Sequence, residues 1–125
     1  MILVDTSIWI AFFRGARVAS SLTTLLEVGD VLSHPWIIGE LALGNLGSSR
    51  CRILADLGRL PTWPALADAH VLDLVETRCL AGTGIGWVDA HLLAAALSQE
   101  VRLWSADGSL DAAAKRCGVA FPDDR

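Results

Sequence analysis

Basic side chains are scarce in this chain of 125 residues: Lys and Arg number 10 against 14 Asp and Glu, and the only lysine is Lys115. The resulting net charge of −4 argues against a protein that coats nucleic acid by bulk electrostatics, but not against a nuclease whose metal supplies positive charge locally. No C-x-x-C is present, and Cys51, Cys79 and Cys117 are an odd set at wide spacings, the pattern of free thiols in a reducing compartment. His34, His70 and His91 form no i, i+4 metal pair and are read as surface or packing residues. No apolar run approaches the roughly 18 residues of a membrane span, and Met1-Ile2-Leu3-Val4-Asp5 carries no cationic lead. A soluble, cytoplasmic protein is therefore expected, with no membrane partner. No Pro/Gly/Ser-rich linker, charge block or repeat divides the sequence, so residues 1–125 are expected to form one domain.

What the chain has in quantity is apolar residues, 53% of the total, more than a small domain easily hides, which points to self-association or a protein partner. Their pattern alternates short runs with helical stretches. Ile2 to Val4 reads as a buried strand, Thr6-Ser7 as a polar turn able to cap a helix, and Ile8 to Phe13 as a helix hidden on several sides. A helix over about Val18 to Val28 leads to a strand at Val31 to Ser33, and Pro35 opens the next helix. After Gly44 and Gly47, Ser48 or Ser49 can cap a helix reaching about Leu57. Leu60 to Pro64 suits at most a brief edge strand because of its two prolines. Ala65 to Leu80 reads as a long helix with Leu66, Ala69, Leu72, Val75 and Leu80 inward. The loop bearing Gly82, Gly84 and Gly86 precedes a helix containing Asp89; strands at Val101 to Trp104 and Val119 to Phe121 flank a last helix over Ser109 to Arg116. Strands alternating with helices predict a parallel sheet covered on both faces.

Two carboxylates interrupt this pattern. At about 100° per residue, Glu40 falls among Trp36, Ile37, Leu43 and Gly44, and Asp89 lies over Leu92, Leu93 and Ala96, so both are expected to point inward. An ionised carboxylate removed from water needs a partner, and with so few basic residues a divalent cation is the economical one. Asp5 and Asp107 follow predicted strands, where ligand sites of open α/β sheets gather. A helix N-terminus favours Asp89 electrostatically, and Glu40 reaches the same place from a neighbouring helix. Oxygen ligands without His or Cys select Mg²⁺ or Mn²⁺. Thr6, Ser7 and Ser105 stand close enough in sequence to hydrogen-bond these carboxylates or bound waters. Taken singly, Asp5 and Asp89 also suit helix caps and Asp107-Gly108 an ordinary turn; the argument is in the combination. Asp111 stands four residues on, at the expected rim, and Arg14 with Arg17, or Arg50 with Arg52, suit phosphate contacts as well as solvated faces.

The order Leu-Val-Asp-Thr-Ser, Glu40 on an early helix, Asp89-Ala90-His91-Leu92-Leu93-Ala94-Ala95-Ala96 and Leu103-Trp104-Ser105-Ala106-Asp107 resembles the PIN-domain ribonucleases over essentially the whole chain. The small size is similar to that of VapC-type toxins of toxin-antitoxin modules. The resemblance implies a three-layer α/β/α sandwich around a mainly parallel sheet, a homodimer, endonucleolytic cleavage of RNA with Mg²⁺ or Mn²⁺, and inhibition by a cognate antitoxin. It places the family's metal-binding, catalytic quartet on Asp5, Glu40, Asp89 and Asp107, and its hydroxyl positions on Thr6 or Ser7 and on Ser105. This chain has Ser-Ala-Asp-Gly-Ser where many members have Thr-x-Asp and an aromatic residue. Two other classes compete. A phosphoacceptor domain fits poorly, because Asp56 and Lys115 both fall in helices. A non-catalytic PIN-like protein whose acidic pocket docks a basic partner segment is the stronger alternative.

Overall fold

Three short strands, β1 (Ile2–Val4), β2 (Val31–Leu32) and β3 (Arg102–Trp104), form a parallel sheet in the order β2-β1-β3. The computed structural model describes residues 1–122. Ile2 pairs with Val31 on one side and Arg102 on the other, and Val4 pairs with Trp104. Leu3, Val4, Val31, Leu32, Leu103 and Trp104 are all buried, which is why these runs are continuous rather than alternating. Between β1 and β2 lie α1 (Thr6–Phe13) and α2 (Val18–Glu27). From β2 the chain runs back across the sheet to β3 through α3 (Pro35–Leu43), α4 (Arg50–Leu57), α5 (Asp68–Thr77) and α6 (Trp87–Gln99), and α7 (Gly108–Arg116) follows β3. The two crossovers travel in opposite directions, so right-handed connections put their helices on opposite faces. The winding order reverses at β1, the switch point at which a ligand crevice is expected, beyond the carboxyl ends of β1 and β3.

Two further expected strands shrink to single parallel bridges, Ser33 with Thr62 and Leu103 with Ala120. The prolines at 61 and 64 remove the amide donors a longer ladder needs beside Ser33. The helix expected over Ala65 to Leu80 is only α5, and its inward face is Val71 with Leu74 and Val75, while Ala69 and Leu72 face solvent. The stretch Gly47–Ser49 is a 3-10 turn that enters α4 without a side-chain cap, contrary to the serine cap expected there.

The central element is α6, buried without interruption from Ala90 to Ala96. Its small residues let neighbouring elements approach closely, and Leu92 and Leu93 fill the space beside the sheet. Where α3 meets it, His91 is fully buried, stacked on Trp36 at 4.5 Å and edge-on to Trp87 at 4.8 Å, with Nε2 3.2 Å from Asp68 Oδ1. His34, also fully buried, is the N-cap of α3: its Nδ1 accepts from the Trp36 N–H at 3.1 Å. That bond places the His34 proton on Nε2, just as the Asp68 carboxylate favours a proton on His91 Nε2. His34 Nε2 and His91 Nδ1 are left without partners. No helix among the described residues is long and apolar enough to cross a membrane.

Candidate functional site

The site begins at the point where β1 ends. The ladder continues one step beyond the strand, with the Asp5 N–H donating to the Trp104 carbonyl at 2.9 Å, and this sets Asp5 beside Ser105 across the sheet. Asp5 is the N-cap of α1 and is buried. Its Oδ1 accepts from the Thr6 N–H at 2.7 Å, and its Oδ2 accepts from Ser7 Oγ at 2.7 Å and Ser105 Oγ at 2.8 Å. Each hydroxyl oxygen in turn accepts a backbone N–H: Ala106 donates to Ser7 at 2.9 Å and Asp107 to Ser105 at 3.0 Å. A hydroxyl has one proton, so both are committed to Asp5 and the carboxylate is locked in orientation.

Asp107 lies at the turn from β3 into α7. It caps that helix through Oδ1, which accepts from Ser109 at 2.9 Å and Leu110 at 3.1 Å, and the residue is exposed. Asp89 is half-buried in the first turn of α6, where Oδ2 accepts from the Gly86 N–H at 3.0 Å. Burial pushes the Asp89 carboxyl above its ordinary value, the Gly86 bond opposes this, and the charges of Asp5 and Asp107 push further upward. Asp89 thus lies within electrostatic reach of both Asp5 and Asp107. Asp5 is also the helix cap its local reading allowed, and Asp107, read locally as an ordinary turn, is the N-cap of α7.

Glu40 is placed differently from expectation. It is exposed, not inward, and Leu43 is 92% exposed. The buried face of α3 is set by Ile37 and Leu41, and the midline between them is roughly 80° from Glu40 and roughly 140° from Leu43. Glu40 thus stands on the helix flank at the cleft, where the Thr6 hydroxyl donates to its Oε1 at 2.7 Å and ties α3 to the start of α1. Asp111 does not join the cluster; it pairs with Lys115 at 2.9 Å. Arg50 donates to the Ala42 carbonyl at 2.9 Å and Arg52 faces Asp56 at 3.9 Å, so both have intramolecular partners, whereas Arg14 opens onto the cleft beside Glu40.

None of the ion pairs among the described residues involves Asp5, Glu40, Asp89 or Asp107. Nor is any group of three His, Cys, Asp or Glu side chains there disposed to hold one metal directly. An oxygen-only, uncompensated and open set suits a cation that keeps most of its waters and takes one or two carboxylates, the habit of Mg²⁺. Of the histidines read as surface or packing residues, His34 and His91 are buried and His70 is exposed, while Asn45, between glycines at a helix end, was not singled out in the sequence.

The Asp89 shift has a testable consequence. The folded protein holds this proton to higher pH than the unfolded chain, whose carboxyl titrates near 3.8, so stability falls as pH rises from there through the raised value. Above the raised value the penalty is fully present. Without metal, Asp89→Asn, which retains an acceptor for Gly86, is expected to melt above the parent at pH 7 and to lose that advantage toward pH 4. A lower melting temperature, or a gain indifferent to pH, would contradict the electrostatic account.

A family profile described as PIN domain matches residues 2–116. Ribonuclease VapC32 from two strains of Mycobacterium tuberculosis is 42% identical over 125 residues, covering 99% of this chain and 98% of the relative. The crystal structure of PAE2754 from Pyrobaculum aerophilum superimposes with a TM-score of 0.66 at 19% identity, covering 96% of this chain and 87% of that one, a likeness of fold. With the acidic crevice at the switch point of a parallel sheet and a profile match over nearly its whole length, the chain belongs to the PIN-domain family.

Proposed function

We propose that this protein is a metal-dependent endoribonuclease, the toxin of a type II toxin-antitoxin module, acting in the cytoplasm. The observation that carries the reading is the uncompensated set of Asp5, Glu40, Asp89 and Asp107 around the crevice, on a chain 42% identical over its length to a ribonuclease of the VapC group. These four carboxylates are the residues that would hold Mg²⁺ or Mn²⁺. When bound, such a cation supplies a water of lowered pKa and neutralises charge building on a phosphodiester. The chain's own contribution is orientation: Ser7 and Ser105 fix Asp5, Thr6 fixes Glu40, the Gly86 N–H holds Asp89, and the Ser109 and Leu110 N–H groups hold Asp107. Burial and the charges of Asp5 and Asp107 make Asp89 take up a proton more readily than a free carboxyl does.

The deciding experiment is incubation of total cellular RNA with purified protein in Mg²⁺, in Mn²⁺ and in EDTA. Discrete fragments that require the metal establish the activity. Intact RNA in all three, from a folded protein, would reduce the crevice to a docking site.

Regulation by an antitoxin follows the same logic. An arginine-bearing segment would supply the cation that the carboxylates lack, and an apolar helix suits the groove of about 510 Å³ lined by Trp9, Phe12, Phe13, Leu26, Ile53 and Leu57. Self-association into a homodimer would cover exposed apolar residues such as Leu72 and Trp63. In a purified toxin-antitoxin complex, Phe12→Asp and Glu40→Lys are each expected to weaken retention of the partner at least tenfold. A complex that survives both would remove this arrangement.

A further inference from the structure

Beside the acidic crevice, and sharing Glu40 with it, lies a second cleft of about 500 Å³, of a size to admit one nucleotide. Its walls include Ile10, Phe13, Arg14, Glu40, Asn45 and Leu46. The polar side chains are two donors, Arg14 and Asn45, and one carboxylate, Glu40. Asn45 Oδ1 accepts from the Gly47 N–H at 3.2 Å, in a turn closed by the positive φ of Gly47. A backbone N–H can bond only the amide oxygen, so this contact fixes the amide and leaves the Asn45 Nδ2 group free to donate. Arg14 has no ion-pair partner among the described residues and brings guanidinium donors that never deprotonate. The acceptor in this lining, Glu40, already has Oε1 occupied by Thr6. The rest is apolar, with Ile10 38% exposed at the lip.

A flat apolar body with hydrogen-bond acceptors along one edge fits such a cleft, and a nucleobase with an exocyclic carbonyl has that form. We infer that this cleft is a base-reading pocket for the RNA strand, selecting a keto base, guanine or uracil, next to the scissile phosphate through Arg14 and Asn45. The inference rests on the ribonuclease reading, because Glu40 joins the pocket to the carboxylates. Arginine pairs with O6 and N7 of guanine, and the amide Nδ2 donates to a carbonyl such as O4 of uracil. The amino edges of adenine and cytosine would set donor against donor and leave buried groups unpaired.

The test is end-sequencing of a randomised single-stranded RNA pool cut by the full-length protein with Mg²⁺. The parent protein is expected to show G or U enriched about tenfold at one fixed position beside the cut, and which base it is separates the two sources of the carbonyl. Arg14→Ala is expected to reduce that enrichment below about threefold. Asn45→Asp keeps an oxygen for Gly47 but replaces the donor by an acceptor, so the preference is expected to move toward cytosine at the same position. Both side chains are exposed, and neither variant removes a buried contact. Cutting without a positional preference, a preference for A or C in the parent, or an unchanged preference in both variants would overturn the pocket and leave the nuclease standing. Absence of metal-dependent cutting by the parent would overturn both.

Discussion

Replacing Asp5 by Asn is expected to lower metal-dependent RNA cleavage by at least about a hundredfold while shifting the melting temperature little. The two effects separate because Asp5 has two duties. As N-cap of α1 it needs an oxygen for the Thr6 N–H, and Asn supplies one with equal capping preference. As a carboxylate it takes two hydroxyl protons on Oδ2, from Ser7 and Ser105, and holds negative charge at the crevice. An amide nitrogen in that position provides neither the charge nor the acceptor, so the serine hydroxyls must turn away and a cation loses a ligand. Initial rates on single-stranded RNA in Mg²⁺, beside thermal melts in EDTA, read both duties. Full activity in the variant would remove Asp5 from the machinery, and collapse of the fold would show that its capping role dominates.

The second large effect concerns His34, which is far from solvent and remote from any carboxylate bond. Burial, and secondly the charge of His91, pull its pKa from 6.5 down to about 4. The unfolded chain takes up the proton as pH falls through 6.5, whereas the folded protein resists until about 4, so stability is present above 6.5 and is lost between these values. The loss is on the order of 3 kcal/mol for a shift of this size. His34→Asn keeps a side-chain acceptor for the α3 N-terminus and cannot titrate. Urea unfolding at pH 7 and at pH 4.5 is expected to show a larger loss for the parent than for His34→Asn. Equal losses in the two proteins would mean that His34 is protonated in the fold or exposed by local opening.

The local chemistry of the chain is legible where one segment decides it. Pro35 opens α3, the apolar runs at Ile2–Val4 and Val31–Leu32 become strands, and the prolines at 61 and 64 keep their neighbourhood to a single bridge. The acids at the ends of β1 and β3 stand where a parallel sheet reverses direction, and alternation of strands with helices was enough to expect that. Glu40 and Leu43 were misplaced because helical periodicity gives relative angles, while the absolute facing of α3 depends on which residues its neighbours accept. Leu72 was misread for the same reason: an isolated apolar residue on a helix does not record whether anything packs above it.

Residue types and their order therefore determined most of the secondary elements and the parallel sheet, since these follow from periodicity and turn chemistry. Only the tertiary structure decided the rest. It showed that Ser7 and Ser105 both spend their protons on Asp5. It showed that Thr6 reaches Glu40 across 34 residues, and that two histidines pack into the core with complementary orphan nitrogens. Such contacts join groups far apart in the chain, and their directions depend on how packed elements settle against one another, which no local pattern encodes.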